Sequence, residues 1–164
     1  MIRQANICDI SLIQAIAYRT WPMTFREILS KDQIRYMLDQ MYKTEVISEQ
    51  MANGITYIVF EHLDEYLGFS AFEVNHLGRP ETKIHKLYVL PSHQKKGIGK
   101  QLLDHISKKS VKHANKVLVL NVNIHNSAFH FYEKYGFIKL GEEDIPIGAG
   151  YFMNDYILKK SITN

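Results

Sequence analysis

The sequence predicts an α+β fold of three layers: a mixed, mostly antiparallel central sheet with helices on both faces. Three observations lead there. Apolar residues recur at helical spacing through the first third of the chain, the period changes to that of β-strands from Ile55, and the second half reads β-α-β-α-β-β. At 164 residues, 46% of them hydrophobic, the chain is sized for one domain with a real core, so residues 1–164 are expected to form a single domain.

Taken in order, Met1 to Ala5 reads as a short strand. Asp9 is placed to cap a helix through about Thr20, with Leu12, Ile13, Ile16 and Ala17 on its buried side and Trp21-Pro22 as its end. Ser30 and Gln33 make an S-x-x-Q capping box before a second helix, whose Ile34, Met37, Leu38 and Met41 share one face. Thr44 to Asn53 is a third helix, stopped by Gly54. Ile55 to Glu61 and Tyr66 to Val74 are β-rich runs joined by L-D-E, the composition of a hairpin, and Lys83 to Leu90 follows as another strand. Val117 to Leu120 is continuously apolar, as in a strand buried on both faces. Asn126 opens a helix that Gly136 ends; Phe137 to Leu140 and Tyr151 to Leu158 close the chain as strands around a long loop.

Composition removes several classes of function. No apolar run reaches the ~18 residues of a membrane helix, and the N-terminus lacks a secretory apolar stretch, which makes the cytoplasm the expected compartment. The single cysteine, Cys8, rules out an intrachain disulfide framework and reads as a half-buried residue near a helix start. Net charge is only +3, and the lysine clusters at 95–100 and 108–112 carry no interleaved aromatic platform, so nucleic acid is a minor prospect. His93, His105, His113, His125 and His130 form no H-x-x-x-H pair with flanking carboxylates, and no metal is expected.

The chain is organised around Ile84 to Leu103, I-H-K-L-Y-V-L-P-S-H-Q-K-K-G-I-G-K-Q-L-L. An apolar strand closes on Pro91, a polar turn follows, and Ile98, Leu102 and Ile106 recur every four residues in a helix. Backbone N–H groups from Lys96 to Lys100 and the positive helix end then converge on one point, a geometry suited to phosphate or pyrophosphate. Gly97 and Gly99 let a ligand approach the backbone, and Lys95, Lys96 and Lys100 add charge. A solvated strand-to-helix turn would look the same.

Q-K-K-G-I-G after L-Y-V-L-P resembles the Q/R-x-x-G-x-G/A loop of the GCN5-related N-acetyltransferases (GNAT), and N-S-A-F-H-F-Y-E-K-Y-G-F at Asn126 to Phe137 resembles their N-x-x-A-x-x-x-Y-x-x-x-G-F segment. Two motifs in the family's order and spacing are far more specific than one. The resemblance implies a sheet splayed beside the acetyl-CoA loop, with the pantetheine arm lying in the gap like an added strand. It implies acetyl-CoA as co-substrate, pantetheine contacts at Leu87, Tyr88 and Val89, and the Leu87 N–H as donor to the thioester carbonyl. Pyrophosphate would lie on Gln94, Lys95, Lys96, Gly97, Ile98, Gly99 and Lys100. Asn126 would bond the pantetheine amides, although it is equally a favoured N-cap. Tyr132 would protonate the leaving sulfur, although a tyrosine at helical spacing is equally a core residue.

The general base departs from the family's pattern. Many members carry glutamate at one or both positions matching Lys83 and His85, and neither is acidic here. A charged lysine cannot accept a proton; His85 can, directly or through water. Glu73 on the neighbouring strand is the second candidate, and an ordinary surface role fits either residue. Strand alternation puts Lys83 on the His85 face and Lys86 on the other.

T-W-P-M-T-F-R-E-I at Thr20 to Ile28 resembles the polyamine acetyltransferase branch, where this region walls the acceptor site. Trp21, Phe25 and Tyr36 would then line an apolar slot, although core packing explains them equally well. The loop Glu142, Glu143, Asp144 would attract a polycation. The expectation is an enzyme moving acetyl from acetyl-CoA to the primary amine of a small, polyamine-like molecule by direct attack in a ternary complex, with a homodimer left open. A protein N-acetyltransferase and a non-catalytic CoA sensor are the alternatives.

Overall fold

The computed structural model describes residues 1–162. They fall into two compact units: Met1–Glu73 with His85–Ile106, and Val74–Ile84 with the chain from Ser107 on.

In the first unit, β1 (Ile2–Gln4) leads through a 3-10 turn (Ile7–Asp9) into α1 (Ile10–Phe25), α2 (Lys31–Met41) and α3 (Thr44–Ala52), followed by β2 (Thr56–His62) and β3 (Glu65–Glu73). Asp9 does not cap α1 with its side chain. Asn6 takes a capping role one turn earlier, accepting from the Cys8 N–H at 2.8 Å, while Asp9 accepts both guanidinium nitrogens of Arg3 at 2.9 and 2.8 Å. A bidentate charged pair outweighs a single cap bond. Cys8 on this turn is exposed rather than half-buried.

The first helix also runs beyond Pro22, to Phe25. An internal proline costs about 3 kcal/mol. Burial of Trp21 (1% exposed) and Phe25 (3%), with ring centroids 4.6 Å apart, offsets it at roughly 2 kcal/mol per side chain. Ser30 caps α2 by accepting from the Gln33 N–H at 3.1 Å. β2 and β3 pair antiparallel across Leu63 and Asp64, both with positive φ (49° and 61°), as a two-residue hairpin turn requires.

The second unit contains β5 (Val117–Asn123), α5 (Ala128–Lys134), β6 (Ile138–Gly148) and β7 (Tyr151–Ser161). β4 (Glu81–Val89) and α4 (Ile98–Lys112) each belong partly to both units. Strand order in the seven-stranded sheet is β1-β2-β3-β4-β5-β7-β6. The parallel ladder of β4 and β5 runs from Glu81↔Val117 to Ile84↔Leu120, whereas β5–β7 and β6–β7 are antiparallel. The sheet is thus mixed and mostly antiparallel.

Two expectations change in this unit. Leu118 and Leu120 are buried, but Val117 and Val119 on the opposite face are only half-covered, so β5 is not enclosed on both sides. The long loop between the closing strands is instead a hairpin of two eleven-residue strands, turning at Ala149 and Gly150 with φ 51° and 77°. β6 is an edge strand with almost no buried residue, and its charges and Pro146 protect that edge from further pairing.

Candidate active site

The glycine loop takes the expected form. A 3-10 turn at Pro91–His93 leads to Lys95 and Gly97, both in the left-handed region (φ 62° and 81°), and α4 begins at Ile98. Gly97 faces open space where a Cβ would stand. The first N–H groups of α4 lack partners within their own helix. Ile98 is 5% exposed and anchors the turn, while Gln94, Lys95 and Lys96 are exposed. Gln94 donates to the Val89 carbonyl at 3.1 Å, and Lys100 pairs with Asp104 at 2.7 Å rather than extending freely.

Leu87 and Tyr88 are half-buried on β4, and Val89 is buried. Tyr88 belongs to an aromatic cluster with Trp21 (5.9 Å) and Phe69 (5.8 Å), and Trp21 donates its indole N–H to the Tyr42 hydroxyl at 3.2 Å. Trp21 and Phe25 are therefore core residues; Tyr36, half-buried on α2, keeps surface to offer.

His85 and Glu73, separate candidates in the sequence, meet here: Nε2 lies 3.1 Å from Oε2, with side chains 26% and 32% exposed. A carboxylate at Nε2 favours the proton on that nitrogen. Lys86 points to the other face, as alternation requires. It is 5% exposed, its ammonium donates to Gln50 Oε1 at 3.0 Å between the Tyr42 and Tyr57 rings, and burial lowers its pKa to about 8.

In the second unit, Asn126 accepts from the Ala128 N–H at 2.9 Å in the turn that leads into the short α5, whose N-cap position is Ser127. Tyr132 is 7% exposed, edge-on to Phe131 and Phe137, and burial holds its hydroxyl well above the ordinary phenol value. A polar cluster that the sequence did not single out crosses four strands. Lys83 donates to Asn121 Oδ1, Asn121 donates to Glu143 Oε2 at 3.1 Å, and a further side-chain bond links Asn121 to Asp155. Burial lowers the Lys83 pKa, against the pull of Glu143, Asp155 and Glu81; burial also raises that of Asp155. Asn121 was detectable as the polar residue that follows the apolar run Val117 to Leu120 within β5; Asp155 stands among other polar residues of β7 and carried no such signal.

With this fold and loop, the chain matches the Acetyltransferase (GNAT) domain family over residues 25–149, more than half its length, and belongs to that family. It is an acetyltransferase of the GNAT type, an enzyme that uses acetyl-CoA as co-substrate and acts on amines. It is 26% identical over 168 residues to an uncharacterized N-acetyltransferase in the pepI 3′ region of Lactobacillus delbrueckii subsp. lactis, covering 98% of this chain and 96% of that one. The PaiA N-acetyltransferase of Thermoplasma acidophilum, solved with coenzyme A, superposes with a TM-score of 0.83 at 25% identity, over 98% of both chains. The ribosomal-protein-S18-alanine N-acetyltransferase of Escherichia coli shares the fold with a TM-score of 0.75 at 17% identity, over 100% of this chain and 94% of that one. No helix among the described residues is long and apolar enough to cross a membrane.

Proposed function

We propose that the enzyme acetylates the primary amine of a small, polyamine-like molecule by direct attack in a ternary complex. The observation that carries this reading is the 3.1 Å contact of His85 with Glu73. It supplies a base with an orienting carboxylate where the family's glutamates are missing, which favours a catalyst over a CoA sensor.

Acetyl-CoA pyrophosphate lies on the turn from Gln94 to Lys100, and pantetheine runs along Leu87 to Val89, with Asn126 as a further contact. The Leu87 N–H donates to the thioester carbonyl as it becomes an oxyanion. His85 takes a proton from the acceptor ammonium, the amine lone pair attacks the carbonyl carbon, and the C–S bond breaks. Tyr132 gives its proton to the thiolate and regains one from the attacking nitrogen, which sheds its second proton on becoming an amide; the role fits a hydroxyl kept protonated by burial. The products are an N-alkylacetamide and free CoA thiol. Tyr36 contributes to the acceptor wall. Because the family match runs from 25 to 149 without a break, both units are proposed to serve one catalytic domain. The cytoplasm is the proposed compartment, on the single cysteine.

Thiol release from acetyl-CoA with a panel of monoamines, diamines, polyamines and peptide α-amines tests the proposal. Turnover with small amines is expected. Turnover with peptides alone would make this a protein acetyltransferase, and CoA binding with no turnover would make it a sensor.

A further inference from the structure

Leu67 to Phe72 of β3 is a run of buried residues whose one polar side chain is Ser70, itself 0% exposed. A hydroxyl in such a place is costly unless it is bonded, and an alanine would carry no such cost. Ser70 donates to the Lys86 carbonyl of β4 at 2.5 Å. The bond thus falls on one particular peptide, the one that joins Lys86 to Leu87.

That peptide is trans and planar, so its N–H points directly away from its carbonyl. With the Lys86 oxygen turned to β3, the Leu87 N–H faces the other way. The flanking groups agree. The Tyr88 carbonyl oxygen lies 2.8 Å from where a Gly68 Cβ would stand, and the Leu90 N–H donates to the Leu67 carbonyl at 2.8 Å. Residues 86, 88 and 90 therefore turn backbone groups to β3, and Leu87 between them turns its own away, as alternation along a strand requires. All these residues belong to the first unit.

We propose that Ser70 is a positioning residue for acetyl transfer. It holds the Lys86–Leu87 peptide with its N–H aimed at the thioester oxygen, and by donating to the carbonyl of the same amide it strengthens that N–H as a donor. This rests on the reading above in which the Leu87 N–H bonds the thioester carbonyl. Hydrogen bonds in a chain polarise one another: a donor at the amide oxygen draws electrons toward it and leaves the N–H more positive. The gain grows with the charge on the thioester oxygen, so it is larger in the transition state than in bound acetyl-CoA.

The test is the infrared carbonyl band of protein-bound acetyl-CoA, labelled with carbon-13 at the acetyl carbonyl, in wild type, Ser70→Ala and Ser70→Thr. Wild type should show the band below its position in free acetyl-CoA. Ser70→Ala should move it back toward that position, and Ser70→Thr, which keeps the hydroxyl, should leave it in place. With an amine that turns over, Ser70→Ala should lower kcat about three- to tenfold at unchanged KM for acetyl-CoA, and Ser70→Thr should restore it. The loss stays short of the roughly 10²-fold of a deleted oxyanion donor, because the N–H remains. A lowered wild-type band that persists in Ser70→Ala overturns the positioning role and keeps the Leu87 reading. A wild-type band at the free position removes Leu87 as the donor, and the role of Ser70 with it. Equal displacement in Ser70→Ala and Ser70→Thr makes Ser70 a packing residue. If the added methyl keeps Ser70→Thr from folding by circular dichroism, the band and kcat of Ser70→Ala decide alone.

Discussion

The imidazole of His85 and the carboxylate of Glu73, twelve residues apart, meet at 3.1 Å between Nε2 and Oε2. Such a pair holds an imidazole in one tautomer and one orientation, the arrangement a general base needs. His85→Gln is expected to lower kcat/KM at neutral pH by about 10²-fold and to abolish the acidic limb of its pH profile. Glu73→Gln should cost less, since the base itself survives. The check is the kcat/KM profile of both variants with unchanged CoA affinity; a wild-type profile in His85→Gln returns His85 to a surface role.

Lys86 sets a stability window. Its folded pKa, lowered by burial to about 8, lies below the ordinary lysine value of 10.5, so between these values the unfolded chain binds more protons. Stability therefore rises as pH climbs through this window, by roughly 3 kcal/mol in total, and is at its lower plateau below the folded pKa. Lys86→Met should flatten the rise and stabilise the protein at pH 7, because Gln50 keeps its bond from the Tyr57 hydroxyl. Urea melts of both proteins at pH 7 and pH 10 measure the difference.

Gly68 is required by close approach. A Cβ there would stand 2.8 Å from the Tyr88 carbonyl oxygen and 3.3 Å from Val89 Cγ2, and the former is backbone that cannot swing aside. Gly68→Ala is expected to destabilise by about 1–3 kcal/mol, read as a lower Tm. Gly97→Ala meets nothing and should cost only its positive φ, about 1 kcal/mol.

Gly99 lies in the first turn of α4, where N–H groups lack helical partners. Gly99→Asp should weaken CoA binding at least about tenfold by setting a carboxylate against pyrophosphate. Unaltered CoA affinity in the folded variant would remove this turn from the binding site.

Tyr132→Phe removes the proposed acid and should lower kcat by about 10²-fold with little change in the KM for acetyl-CoA. Burial keeps the hydroxyl protonated far into the alkaline range, so Tyr132 should impose no basic limb on kcat between pH 7 and about pH 10. Wild-type kcat in the variant would make Tyr132 a packing residue.

Most of the element order was readable from local signals, because it rests on them. The 3.6-residue period places Ile34, Met37 and Leu38 on one face of α2, Ser30 caps that helix, and the glycine at position 97 marks a left-handed turn. The α1 end and β6 were misread for one reason: local propensity was overruled by partners distant in sequence. Pro22 should stop a helix, yet aromatic burial carries α1 past it. E-E-D-I-P looks like a loop, yet an edge strand needs a pairing neighbour, supplied by β7, and no buried face. The glycine turn and the two motifs were legible as contiguous stretches. The His85–Glu73 contact and the Lys83–Asn121–Glu143–Asp155 cluster were not, because each joins side chains from different strands. Which residues share a face follows from alternation along one strand, but which of them meet depends on register between strands, and register is set by the packing of the whole sheet.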